Sequence, residues 1–324
     1  VLAEVLDAGE DLGPSFFEVT IAAAFLAFSR TPADACVVEV GMGGRFDATN
    51  VLEPEALAAC GIAALGLDHE RFLLAPEDGV PTEPLARIAF EKAGIAKRGV
   101  PLVAMNNGEE ANREIALAVQ RVGAILSAHN KDWCISAQNG HFEDKSGELD
   151  FLAPALIGEH QMTNAGLAAA MLRAQSRIAI SDDAILAGVR NANWPARMQR
   201  LGAGPMTALV ADQTVWLDGG HNPSAGGVIA AHFDRPLHLI IGMIEGKDPR
   251  AIIDPLGERI RTLTIVPVPG HECHPASAFG PSAKAAGNLE EALLGVPSDD
   301  FPILIAGSLY LAGEVLRLND EAPD

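Results

Sequence analysis

The chain has 324 residues, of which 48% are hydrophobic, 23 are Lys or Arg and 43 are Asp or Glu, for a formal net charge of −20. At about 150 residues per domain the length fits two domains, the apolar share excludes disorder over most of the chain, and the acidic balance repels a phosphate backbone. The longest apolar stretches, 21–28 and 237–244, fall well short of the roughly 18 residues that span a bilayer, so neither a nucleic-acid nor a membrane partner is expected.

Short β-branched runs alternate with Ala/Leu-rich helical stretches, the pattern of an α/β protein whose crossover helices cover a mostly parallel sheet. In chain order, a helix is predicted over 17–29 and a strand over 35–40. A strand over 60–65, a helix over 84–93, a strand over 100–105 and a helix over 109–122 follow. Strands are predicted over 124–127 and 133–136, then a hairpin around 141–151 with Lys145-Ser146-Gly147 as its turn, then a helix over 161–178. Trp194-Pro195 and Gly202-Ala203-Gly204-Pro205 break the texture, which puts a domain boundary at 198/199. Beyond it a second α/β set is expected, with strands over 207–211, 215–218, 237–242, 263–268 and 302–306. The four cysteines, Cys36, Cys60, Cys134 and Cys273, form no C-x-x-C pair and read as reduced thiols of a cytoplasmic protein.

Chemistry-bearing residues cluster just past the predicted strands. Glu39-Val40-Gly41-Met42-Gly43-Gly44-Arg45-Phe46-Asp47-Ala48-Thr49-Asn50 follows one of them; its glycines allow close backbone approach and Glu39, Arg45 and Asp47 supply charge. The bland alternative, a glycine-rich turn with solvated charges, weighs about equally on composition. Asp68-His69 follows the next strand, where an imidazole serves as base or is merely solvated; hard Mg²⁺ prefers oxygen, so the residues alone do not make His69 its ligand. Lys92 sits near a helix end stopped at Gly94, ordinarily a favourable place for a lysine. Thr163 and Asn164 begin a helix as caps or anion contacts, and Asp218, His221 and Lys247 lie at strand ends of the second half.

Taken in order, the strings S-F-F-E-V-T (from Ser15), E-V-G-M-G-G-R-F-D-A-T-N, L-D-H, E-K-A-G-I, H-Q-x-x-N-A, L-D-G-G-H-N-P, G-x-x-x-x-K-D and G-S-L-Y-L-A-G-E closely resemble dihydrofolate synthase/folylpolyglutamate synthase of the Mur ligase superfamily. The resemblance runs from about Ser15 to Glu314. It implies a two-domain architecture, an incomplete P-loop-type ATPase domain followed by a Rossmann-like carboxy-terminal domain. It also implies an ATP-dependent ligase that forms a C–N bond between L-glutamate and dihydropteroate or folyl-glutamate through an acyl phosphate. By position it makes Glu39 and His69 a magnesium-linked pair, overriding the ligand-softness argument, and Lys92 a lysine carbamylated by CO₂ to hold a second Mg²⁺; these three are the catalytic candidates. Asn164, Arg197 and Asp218 match ATP-contacting positions, with His221 and Lys247 on the glutamate or phosphate side. Ser15, Phe16, Phe17, Glu18, Phe46, Asp47 and Ala48 match the pteroate-binding segments, where aromatic faces stack on rings. The partners implied are small molecules, and the protein is expected to be a monomer.

The family also carries a G-T-N-G-K-G-[ST] phosphate loop, and no G-x-x-x-x-G-K-[ST] occurs in these 324 residues; the nearest string, Gly246-Lys247-Asp248, lacks the hydroxyl. The expectation is therefore a synthase lacking roughly 50 amino-terminal residues or more by comparison with the family layout, inactive in this form, with one face or edge of its first sheet exposed. Two other readings compete: a folate-binding or partner-binding protein without the phosphate loop, and a Mur-type peptidoglycan ligase, which shares the chemistry but not E-K-A-G-I.

Overall fold

The computed structural model describes residues 1–67, 73–152, 154–210 and 212–322. Two compact units divide the chain: Val1–Leu152 with Met162–Val189, and Ala153–Gln161 with Arg190–Asp324. The changeover falls at 189/190 rather than at 198/199. The residues leading into the second unit are already stitched to it, because Gln199–Arg200 pairs with Val215–Leu217 and the Gly219 amide donates to Ala196 O at 2.8 Å. No helix among the described residues is long and apolar enough to cross a membrane.

The first unit opens with α1 (Leu2–Ala8) and α2 (Phe16–Arg30), of which α2 buries only Val19. A three-stranded parallel sheet follows, order β1 (Cys60–Ile62), β2 (Pro101–Ala104), β3 (Ile125–Ala128), with α3 (Pro84–Ala93) and α4 (Glu109–Val122) as the crossovers. Alternation along β2 distributes its side chains to two cores. Leu102 and Ala104 join Ala89, Ala93 and Ile115 of the crossover helices. Val103 joins Trp133, Phe142 and Leu167, contributed by a small antiparallel sheet of β4 (Trp133–Ile135), β5 (His141–Asp144) and β6 (Gly147–Asp150) and by α5 (Glu159–Ala174), with Ile185 of α6 (Asp182–Asn191). The expected hairpin is β5–β6: Asp144 pairs with Gly147 across Lys145-Ser146.

One expected strand of this unit does not form. Residues 35–40 pair with no strand among the described residues, and Val37 is 99% exposed. A β-branched run becomes a strand only when a neighbour completes its hydrogen-bond ladder, and propensity alone does not supply one.

The second unit is a six-stranded sheet of order β11-β10-β9-β12-β8-β7, parallel except for β7 (Gln199–Arg200). Its other strands are β8 (Val215–Leu217), β9 (Leu237–Ile241), β10 (Ile260–Ile265), β11 (Lys284–Ala285) and β12 (Ile303–Ala306). Period-two alternation again assigns the faces: Ile303 and Ile305 pack into one core with Ile240, while Leu304 and Ala306 enter the other with Leu239 and Ile241. Helices α7 (Pro223–His232) and α8 (Arg250–Leu256) cover one face, α9 (Leu289–Leu294) and α10 (Leu309–Leu318) the other. Residues Thr207–Val210, expected as a strand, form a 3₁₀ turn instead. The Asn319 carboxamide oxygen accepts from the Met206 and Thr207 amides, both at 3.1 Å, so a residue more than a hundred positions away sets this turn.

Candidate functional site

The first unit's site grows from a lock between two motifs. The glycine-rich loop lies on the end of α3 so closely that a Cβ at Gly44 would stand 2.9 Å from the carbonyl oxygens of both Glu91 and Lys92. In return a Cβ at Gly94 would stand 2.5 Å from Arg45 Cα. The Arg45 amide donates to Glu91 O at 2.8 Å, and Asn50 Nδ2 donates to Gly94 O at 3.2 Å. The glycines of G-G-R and A-G are thus the condition for this backbone contact, which seats Lys92, half-buried near the end of α3, beside the loop.

Above the lock lies a cavity of about 550 Å³. Of the seven residues matched to pteroate-binding segments, Ser15, Phe17, Glu18, Phe46, Asp47 and Ala48 line it. Phe16 does not: its side chain is 85% exposed. Ser15 and Glu18 form the capping box of α2, with the Ser15 amide donating to Glu18 Oε2 at 2.7 Å and the Glu18 amide donating to Ser15 Oγ. This bonding holds the Glu18 carboxyl below the usual carboxylate range. Asp47 is 9% exposed and spends both oxygens on its own loop: Oδ2 accepts from the Met42 amide at 2.8 Å, Oδ1 from the Thr49 amide and hydroxyl at 2.9 and 2.6 Å. Phe46 is 81% exposed with the Arg45 guanidinium 4.3 Å from its ring centre, a cation–π contact.

The sequence did not disclose the charge cluster in the cavity wall. Arg45 grips Glu77 with two terminal nitrogens and Glu91 with Nε and Nη2, at 2.5 to 3.1 Å. Arg87 donates from Nη2 to Glu77 Oε2 and from Nε to Leu73 O, both at 3.0 Å, and its Nη2 forms an ion pair with Glu91 Oε1 at 3.0 Å. The Arg45 and Arg87 guanidiniums, hydrogen-bonded to Glu77, pull its carboxyl down to about 2 and the bonds to Glu77 and Glu91 push Arg45 further up. The Arg87–Glu91 spacing of four within α3 was the available signal; Glu77, in a loop, gave none.

Glu39 lies in the unpaired segment, exposed, and among the described residues its carboxylate accepts no hydrogen bond. His69 falls outside the described residues, which hold no group of three His, Cys, Asp or Glu able to take a metal. Asn164 is exposed on α5.

The second unit gathers its own set. Asp218, 5% exposed at the end of β8, accepts from the Met198 amide at 2.8 Å and the Gly220 amide at 2.7 Å. Burial raises its carboxyl above the ordinary value, against the pull of these two amides and of Arg197 and His160. Burial likewise lowers His160. Arg197 itself is exposed. His221, half-buried, has Nδ1 3.2 Å from Gly219 O, and Lys247 O faces His274 Nε2 at 2.7 Å. The geometry supports a ring-lined cavity with a charge-balanced wall in the first unit and a buried carboxylate held by two backbone amides beside a cation in the second.

No family model matches the chain. It is 31% identical over 325 residues to folylpolyglutamate synthase of Lacticaseibacillus casei, covering 94% of this chain and 71% of that protein. Among solved structures it is similar to Mycobacterium tuberculosis folylpolyglutamate synthase complexed with ADP and AMPPCP, with a TM-score of 0.79 and 26% identity, covering 99% of this chain and 77% of that one. It is also similar to the bifunctional folylpolyglutamate synthase/dihydrofolate synthase of Yersinia pestis complexed with AMPPNP and Mn ion, with a TM-score of 0.78 and 25% identity, covering 98% of this chain and 74% of that one. With the L. casei protein matched along nearly the whole of this chain, the chain belongs to the dihydrofolate synthase/folylpolyglutamate synthase family.

Proposed function

We propose that the protein is an ATP-dependent ligase of folate metabolism that joins L-glutamate to dihydropteroate or a folyl-glutamate, acting as a cytoplasmic monomer. What supports this most is that two segments about thirty positions apart, Ser15–Glu18 and Phe46–Ala48, line one cavity. Phe17 and Phe46 offer ring faces to the pteridine and aminobenzoyl groups. Ser15 and Asp47 build the walls rather than reach for substrate, since their side-chain oxygens are engaged with the chain itself, and Glu18 spends Oε2 on Ser15.

The described residues gather no three carboxylate, imidazole or thiol groups for a metal, so the magnesium of this reading rests on the motif position of Glu39. Asp47 is spent on its loop, which leaves Glu39 as the carboxylate open to a cation that keeps waters and takes phosphate oxygens. His69 and a carbamylated Lys92 complete the set in this reading. A bound divalent ion neutralises phosphate charge during phosphoryl transfer. Asn164, Arg197 and Asp218 hold the nucleotide, while His221 and Lys247 serve the glutamate or phosphate side. Expression of the complete gene in a strain lacking folate synthase is expected to restore growth without added folate end products; no growth, with the protein present and soluble, would overturn the assignment.

A further inference from the structure

The ring of Phe17 reaches the cavity wall from a fixed seat. A Cβ built on Gly41 would overlap Phe17 Cζ and stand 2.6 and 2.8 Å from its Cε1 and Cε2, so the tip of the ring rests on the bare backbone of Gly41. That contact takes the para carbon and leaves the two ring faces out of it, and Phe17 stays 38% exposed where it lines the cavity. Each partner is held by bonds of its own. The Met42 amide, next to Gly41, donates to Asp47 Oδ2 at 2.8 Å. Phe17 lies in the first turn of α2, which is closed by the Ser15–Glu18 capping box and by Thr20 Oγ1 donating to Phe17 O at 3.1 Å.

What gives way when the gap is filled decides what Gly41 does. At Gly44 the nearest obstacles are backbone oxygens, so a methyl group there strains the fold. At Gly41 they are the far end of one partly exposed side chain, so the ring swings to another position and the fold is spared. Gly41 does not occupy the left-handed region either, so alanine meets no backbone penalty there. A ring already held in place stacks on a flat ligand without the cost of being ordered on binding. We propose that Gly41 is a positioning residue for the substrate: by lacking a side chain it seats the Phe17 ring where the ring system of a pteroate stacks on it, an assignment that rests on the reading of the cavity as the pteroate side of the site.

The test is calorimetric titration of the chain with 7,8-dihydropteroate, alongside thermal melts. Gly41→Ala is expected to bind about 3- to 10-fold more weakly than wild type, the worth of one ordered aromatic pair. Its melting temperature is expected to stay within about 2 °C of wild type, a smaller shift than that of Gly44→Ala. Phe17→Leu, which draws the side chain back from Gly41, is expected to lose affinity by itself and to make Gly41→Ala silent, the double variant binding within about 1.5-fold of Phe17→Leu. The assignment is overturned by a Gly41→Ala or a Phe17→Leu protein that binds as tightly as wild type, or by a Gly41→Ala loss that persists undiminished in the Phe17→Leu background. A Gly41→Ala melting temperature lowered as far as that of Gly44→Ala also overturns it, because the fold rather than the ring would then have yielded. No binding by wild type overturns the cavity reading and this assignment together.

Discussion

Replacing Gly44 by alanine perturbs the lock between the glycine-rich loop and α3 at a single point. The added Cβ would lie 2.9 Å from two backbone oxygens, Glu91 O and Lys92 O, and 3.0 Å from Ile95 Cγ2. Gly44 does not occupy the left-handed region, so the cost is one of contact rather than of backbone conformation. Backbone oxygens cannot swing aside as side chains do, so the loop must lift and stretch the Arg45 to Glu91 hydrogen bond. Overpacking of this kind costs about 1–3 kcal/mol, and the lower unfolded-state entropy of alanine returns about 0.4–1 kcal/mol. A net loss near 1.5 kcal/mol corresponds to about 3–6 °C in melting temperature for a unit of this size. Gly188, inside α6 with nothing within 4 Å of its added Cβ, is the control: Gly188→Ala is expected to gain about 0.5–1 kcal/mol. Thermal melts rank the three proteins, and hydrogen exchange at the Arg45 amide localises the effect. A Gly44→Ala protein as stable as wild type, with unchanged protection at Arg45, would refute the lock.

The second unit offers a matched pair in one helix. Gly226→Ala drives a Cβ into Ala251 O of α8 and is expected to cost about 3 kcal/mol, whereas Gly227→Ala, facing open space, is expected to gain about 0.5–1 kcal/mol; denaturant melts that give both the same sign would contradict the packing of α7 on α8. Asp218→Asn keeps one acceptor but turns an amide group toward the Met198 or Gly220 N–H, so a loss of about 1–3 kcal/mol at pH 7 is expected, and an unchanged denaturation midpoint would count against the two-amide grip. Glu77 has a folded value depressed to about 2 from 4.5, so its contribution is present above 4.5 and is lost as pH falls toward 2. The difference in melting temperature between wild type and Glu77→Gln is therefore expected to shrink between pH 7 and pH 3, and a constant difference would sink the ion-pair reading.

Where the sequence was legible, a local rule decided the outcome. The run Leu237-His238-Leu239-Ile240-Ile241, apolar but for its histidine, reads as a strand, and β9 is one, buried on both faces. The hairpin around 141–151 forms as read from the turn residues, although Gly147, read as part of the turn, pairs with Asp144 and leaves Lys145-Ser146 to make it. Residues 35–40 carry the same composition but lack a ladder partner among the described residues, and no local rule supplies one. The 207–210 segment, read as a strand from Thr-Ala-Leu-Val, is bent by Asn319, and Glu77 finds partners 10 and 32 positions away. Such contacts become visible only when the chain has closed on itself.

The densest motif shows why recognising a site differs from knowing its chemistry. Gly44 and Asp47 stand in the string that points to the family, yet both face the protein: the glycine admits the carbonyls of α3 and the carboxylate ties Met42 to Thr49. Substitutions at either position disturb ligand binding by moving the loop, so loss of activity there says nothing about contact with substrate. Phe17 and Phe46, by contrast, line the cavity with exposed rings, and it is these, not the motif's glycine and carboxylate, that a ligand there can meet.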